Sequence, residues 1–126
     1  MLVCVHGYPD NASFWEPVAE LLADDFQVVA YDVRGAGDSD HPASTAAYAL
    51  DRLLEDFRAV IDQVSPDRPV HVLAHDRGSI QAWHFVTAPN LTVKVIRGGH
   101  WMPRNDPGLV ARLVLEHTNQ VAGWGT

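Results

Sequence analysis

Three short apolar-rich runs alternate with longer segments of helical period, and that alternation leaves the chain few folds. The runs are residues 2–5, 26–31 and 70–74. The first, Leu2-Val3-Cys4-Val5, carries no polar residue, the pattern of a strand covered on both faces. Between the second and third, Leu50, Leu53, Leu54, Phe57, Val60, Ile61 and Val64 recur at three- and four-residue intervals. Residues 48–64 are therefore predicted to form an amphipathic helix, ended by Ser65-Pro66-Asp67. A helix over 13–23 is expected after the first strand, capped by Ser13 and burying Phe14, Val18, Leu21 and Leu22. Another is expected over 78–86. Strands joined by helices imply an α/β fold, a mostly parallel sheet with helices on both faces. Residues 91–96 read as a fourth strand, where Thr92 and Lys94 alternate with apolar residues as at a sheet edge. The expected strand order is second, first, third, fourth. A last helix starts at Asp106-Pro107, a capping residue followed by proline.

A chain of 126 residues, 47% of them hydrophobic, supports a single core. It reads as one unit in two stretches, 1–87 with the first three strands and 91–126 with the fourth strand and last helix. Nine basic residues against sixteen acidic ones give a formal charge of -7, with no Lys/Arg cluster, so nucleic acid is not an expected partner. No apolar run reaches membrane-spanning length, and the start lacks the basic region of a secretion signal. The lone cysteine, Cys4, lies inside the first apolar run, so a buried thiol and a cytoplasmic location are expected.

Parallel sheets bind ligands beyond the carboxyl ends of their strands, so the loops after the apolar runs are the places to look for chemistry. After the third run stands Ala74-His75-Asp76-Arg77-Gly78, of the form small-x-nucleophile-x-small. A sharp strand-to-helix turn pushes the central residue out in a strained conformation, and small neighbours avoid clashes. Here the central residue is an aspartate. A free aspartate ionises near pH 3.9 or so, about three units below neutrality. Its carboxylate can displace a leaving group from saturated carbon, forming an alkyl-enzyme ester. Hydrolysis of that ester needs a base and an oxyanion hole. His100, between Gly99 and Trp101, is the candidate base. The backbone N–H groups of Tyr8, in His6-Gly7-Tyr8-Pro9, and of Arg77, at a helix start, are the candidate oxyanion donors. The side chains of Trp101 and Arg77 are candidate substrate contacts. Each motif has a plainer reading: Asp76 as a helix cap, the tetrapeptide as an X-Pro turn, His100 as a surface histidine. Their number and order favour the catalytic set. His41, His71, His75, His84 and His117 read as structural or solvated. His71 and His75 lie on a strand and a turn, so the metal-ligand spacing of a helix does not apply. Residues 34–39 are no dinucleotide fingerprint, and neither metal nor cofactor is expected.

These residues together resemble the α/β-hydrolase superfamily, in particular its epoxide hydrolase branch. His6-Gly7-Tyr8-Pro9 resembles the branch's oxyanion motif, whose proline is often cis. Gly35-Ala36-Gly37-Asp38-Ser39 resembles its glycine loop, His75-Asp76-Arg77-Gly78 its nucleophile elbow, and Gly99-His100-Trp101 its base-bearing segment. The wording of residues 31–39, 65–72 and 78–83 is similar to actinobacterial proteins that join an epoxide hydrolase-like domain to a short-chain reductase, although no reductase fingerprint stands here. The resemblance implies an incomplete α/β-hydrolase fold. The family places a cap domain, further strands and the acid that orients the histidine between the elbow helix and the final strand. Here four residues separate Val86 from Leu91, so a truncated or internally deleted core is expected, with no residue assigned as that acid. The implied substrate is a small molecule, an epoxide first and a haloacetate second. Arg77 stands where tryptophan is usual, as in haloacetate dehalogenases, but the second arginine of those enzymes is replaced by Ile80. The rival reading is a fragment of impaired activity, since an open site loses the strengthening that water exclusion gives. Self-association through an exposed sheet edge is also expected.

Overall fold

A computed structural model describes residues 1–85 and 100–124. Strand β1 (Leu2–Val5) pairs in parallel with β2 (Val28–Tyr31) on one side and β3 (His71–Ala74) on the other, giving the order β2-β1-β3. That is the expected order for the first three strands. The fourth, over 91–96, lies outside the described residues, as does Gly99. Register aligns Val5 with Tyr31 and with Ala74, so all three chains leave the sheet at the same edge.

The all-apolar sequence of β1 follows from its central place. Successive strand residues point to opposite faces. Leu2 and Cys4 face one core with Phe14, Trp15, Val18, Leu22, Val110 and Val114, contributed mainly by α1 (Glu16–Leu22), the turn before it and α5 (Pro107–Trp124). Val3 and Val5 face the other, under Phe57 of α2 (Leu50–Val64), with Val60, Ile61 and Val64 beside it. Helices thus cover both faces, and α3 (Arg77–Phe85) packs against α2. Burial pushes the Cys4 thiol up to about 12, so it is an inert packing atom.

Two local expectations change. Ser13 is not the cap: a 3₁₀ turn (Ala12–Trp15) precedes α1, and the Asn11 side chain caps it by accepting from Ser13 N–H at 2.9 Å. Pro17 then sits in the first turn of α1, where its missing N–H costs nothing. Leu21, expected on the buried face, is 51% exposed, while Phe14, Val18 and Leu22 are buried. The cap at Asp106 holds, its carboxylate accepting from Leu109 N–H at 3.1 Å. A short helix, α4 (Met102–Asn105), falls between Trp101 and that cap.

These burials set stability. Phe57 is fully buried, so Phe57→Ala should cost about 3–5 kcal/mol. Leu21→Ala, on the exposed side of α1, should fall within about 0.5 kcal/mol of the parent. Urea unfolding followed by circular dichroism reads both. Similar losses in the two variants would contradict the helix placement.

Candidate active site

The three loops leaving the sheet edge are tied to one another before any reacting group is considered. His6, buried at the tip of β1, accepts the Val33 N–H on Nε2 at 2.9 Å. Its Nδ1 must then carry the ring proton, and it donates to the Gly7 carbonyl at 2.8 Å. Asp32, at the end of β2, accepts from Ala12 N–H at 2.7 Å and Asp38 N–H at 2.9 Å. Those two backbone donors lower its pKa below the usual carboxylate range. Gly37 has φ of 51° and lies so close to the Asp32 carboxylate that a Cβ there would strike it. Arg34 closes the assembly with a two-pronged pair to Asp56 of α2, at 2.9 and 2.8 Å.

Against this edge, Asp76 adopts φ of 54°, the sole non-glycine residue with positive φ among the described residues. An L-residue there is strained by about 1–2 kcal/mol, a cost met by the structure around it. The turn is sharp because α3 starts at the next residue and Gly78 lies against the carbonyl oxygens of Val5 and His6. A Cβ at Gly78 would collide with that backbone, and a Cβ at Gly7 would collide with the Asp76 side chain. The small residues of the motif are thus demanded by packing on β1 as well as by the turn.

The Asp76 carboxylate accepts from Tyr8 N–H at 3.0 Å, and the Arg77 N–H also points to it. The Tyr8–Pro9 peptide bond is cis. Partial burial opposes the charge on Asp76, but the Arg77 and Tyr8 amides and the nearby His100 and His75 outweigh it, and the pKa is lowered. His100 presents Nδ1 to Asp76 Oδ1 at 3.9 Å, a gap that one bridging water fits when held about 2.8 Å from each atom. Trp101 stands edge-on to the His100 ring, centroids 4.7 Å apart, and is half exposed. The Arg77 guanidinium lies over the exposed Tyr8 ring, 5.2 Å from its centroid. Asp76, His100, Tyr8, Arg77 and Trp101 therefore meet at one place. Asp76 and His100 remain open to solvent, with side chains 35% and 34% exposed.

Three neighbours escaped the sequence reading. His75, read as structural or solvated, stacks on Phe14 at 4.8 Å and faces the His100 ring at 4.7 Å. Burial, then the His100 charge, lowers its pKa. Arg104 of α4 lies 5.8 Å from the Phe14 ring centroid. Asp10, one residue past the His-Gly-Tyr-Pro motif, places Oδ2 3.5 Å from His100 Nε2. Its adjacency to that motif is the signal that could have marked it. A surface hollow lined by Met1, Gln27, Val64 and Arg68 lies at the opposite end of the sheet and holds none of these groups. No helix among the described residues is long and apolar enough to cross a membrane.

A parallel sheet whose carboxyl edge carries a strained strand-to-helix turn at Asp76 defines the class, and the comparisons agree: residues 1–102 match the family model described as alpha/beta hydrolase fold, and the chain belongs to that family. It is similar to the "Probable oxidoreductase EphD" of Mycobacterium tuberculosis, 45% identical over 94 residues, which cover 75% of this chain and 16% of that protein. Epoxide hydrolase 1 of Caenorhabditis elegans is 35% identical over 97 residues, covering 76% of this chain and 24% of that one. Among solved structures, an epoxide hydrolase from Vigna radiata superposes with a TM-score of 0.63 at 32% identity, covering 67% of this chain and 27% of that chain. The chain therefore spans about a sixth to about a quarter of the length of these relatives.

The hydrogen bond from Tyr8 gives a direct reading of Asp76. The Tyr8 amide proton should shift with pH as the carboxylate titrates, with a midpoint below about 3.9. A depressed folded-state pKa contributes stability above the unfolded-state value, and that contribution is lost as pH falls through the folded value. A midpoint at or above the ordinary aspartate value in an NMR titration would contradict the hydrogen bonding described here.

Proposed function

We propose that the chain is a hydrolase that uses Asp76 as nucleophile and His100 as general base, acting on a small epoxide. The observation that carries this reading is the Asp76 carboxylate, turned out at φ of 54°, held by the Tyr8 N–H at 3.0 Å and faced by His100 at 3.9 Å. One carboxylate oxygen attacks an epoxide carbon. The carbon–oxygen bond of the ring breaks, and the released alkoxide takes a proton from water at this open site, leaving hydroxide. A second water then attacks Cγ of Asp76 and gives its proton to His100. The negative charge on the former carbonyl oxygen is met by the Tyr8 and Arg77 N–H groups. Collapse breaks the ester bond to the alkyl oxygen, which takes the proton from His100, and a diol leaves. The protonated Asp76 returns its proton to the hydroxide, so the net reaction is epoxide plus water to diol. The epoxide hydrolases among the relatives support this substrate class. A haloacetate would need its carboxylate held, and Arg77 stands alone for that task while Ile80 offers no charge.

Trapping the ester tests the reading. Wild type and variants are incubated with styrene oxide, quenched and weighed intact. His100→Gln should accumulate an adduct of the mass of one epoxide, and Asp76→Asn should form none. Arg77→Trp should keep epoxide turnover and should not release halide from chloroacetate. An adduct on Asp76→Asn, or none on His100→Gln, would overturn the assignment.

A further inference from the structure

A histidine base needs a partner that fixes which ring nitrogen carries the proton. We infer that Asp10 is that partner and acts as the positioning residue of His100. The inference rests on the hydrolase reading above and adds to it a group that the sequence left unassigned.

Asp10 sits in the loop that leaves β1, held by its own N–H donating to the Gly7 carbonyl at 3.0 Å. Its side chain is 9% exposed, and among the described residues its buried Oδ2 has no hydrogen-bond partner. A buried carboxylate oxygen without a partner is costly, so a donor is demanded nearby. His100 Nε2, at 3.5 Å, stands at the edge of hydrogen-bond reach. The opposite ring nitrogen, Nδ1, is the one turned to Asp76 at 3.9 Å. The imidazole therefore lies between two carboxylates, one partly open beside the substrate space and one enclosed. A proton held on Nε2 by Asp10 leaves the Nδ1 lone pair facing the water that must attack the ester.

The ring is held from the sides as well. Phe14 lies 6.5 Å from the His100 centroid, Trp101 stands edge-on and His75 is 4.7 Å away. These contacts limit where the ring lies, and Asp10 decides how it is protonated. His75 meets His100 ring against ring, with centroids 4.7 Å apart.

Two measurements on the full chain test the inference. The first needs no turnover: long-range proton–nitrogen NMR of ¹⁵N-histidine-labelled protein, at a pH where imidazole is neutral, identifies the protonated nitrogen of His100. Wild type should hold the proton on Nε2. Asp10→Asn, which offers an amide donor in the same space, should move it toward Nδ1. The second is ester formation and breakdown with styrene oxide, followed by intact mass. Asp10→Asn should form the adduct within about threefold of the wild-type rate and hydrolyse it on the order of 10²-fold more slowly. That is less than the roughly 10⁴-fold loss when the orienting aspartate of a serine triad becomes asparagine, in keeping with the longer 3.5 Å contact. Asp10→Glu should recover part of the hydrolysis rate. An unchanged His100 tautomer in Asp10→Asn overturns the inference and leaves the hydrolase reading standing, as does wild-type hydrolysis in that variant. Absence of any adduct in His100→Gln overturns the hydrolase reading and the role of Asp10 together, while the tautomer still reports whether the two side chains touch.

Discussion

The close approach of Gly78 to the carbonyl oxygens of Val5 and His6 is the contact on which the site depends. It brings the start of α3 against the end of the central strand. With the chain reversing there, Asp76 is left in the left-handed region, and its carboxylate lies within reach of the amide at the end of the neighbouring loop. Even an added methyl group at Gly78 would push α3 away from β1, a displacement that packed interiors resist at about 1–3 kcal/mol. The backbone strain at Asp76 and the position of the Tyr8 donor share this origin.

The loops around Asp76 are braced by His6 and Asp32 through bonds to backbone atoms. His6 uses both ring nitrogens on backbone atoms, and Asp32 uses its carboxylate on two amides. A reacting carboxylate is useful only if the groups around it stay put during the reaction, since preorganised dipoles avoid reorganisation at the moment of charge development. The same bracing also explains why an open edge can still present an ordered pair of amides to Asp76. Among the described residues Asp76 and His100 keep side chains about a third exposed, and water beside them leaves their electrostatics weaker than in an enclosed site.

Much of this was legible in the sequence because strand and helix periods are local properties. The apolar run of β1 announced its central place, and the three- and four-residue spacing of α2 announced its buried face. The small residues of the elbow were legible through turn sterics, although their second reason, contact with β1, is a tertiary fact. Helix starts were less legible: Ser13 and Asn11 are both good caps, and which one closes the helix depends on a 3₁₀ turn that spacing does not specify. Asp10 and His75 are less legible because, apart from their adjacency to the two motifs, what marks them is spatial. One is 90 residues from His100 in the chain, and neither residue type is unusual in a loop.

In the proposed reaction the oxygen of water enters the Asp76 carboxylate before it reaches any later product. Isotope tracing tests it most directly. The chain, at a concentration above that of the epoxide, reacts once in H₂¹⁸O, and the peptide carrying Asp76 and the diol are weighed separately. Attack by Asp76 predicts one ¹⁸O in the Asp76 carboxylate and a diol whose new oxygen is ¹⁶O, drawn from the enzyme. An unlabelled Asp76 peptide would contradict the claim, whatever the fate of the epoxide.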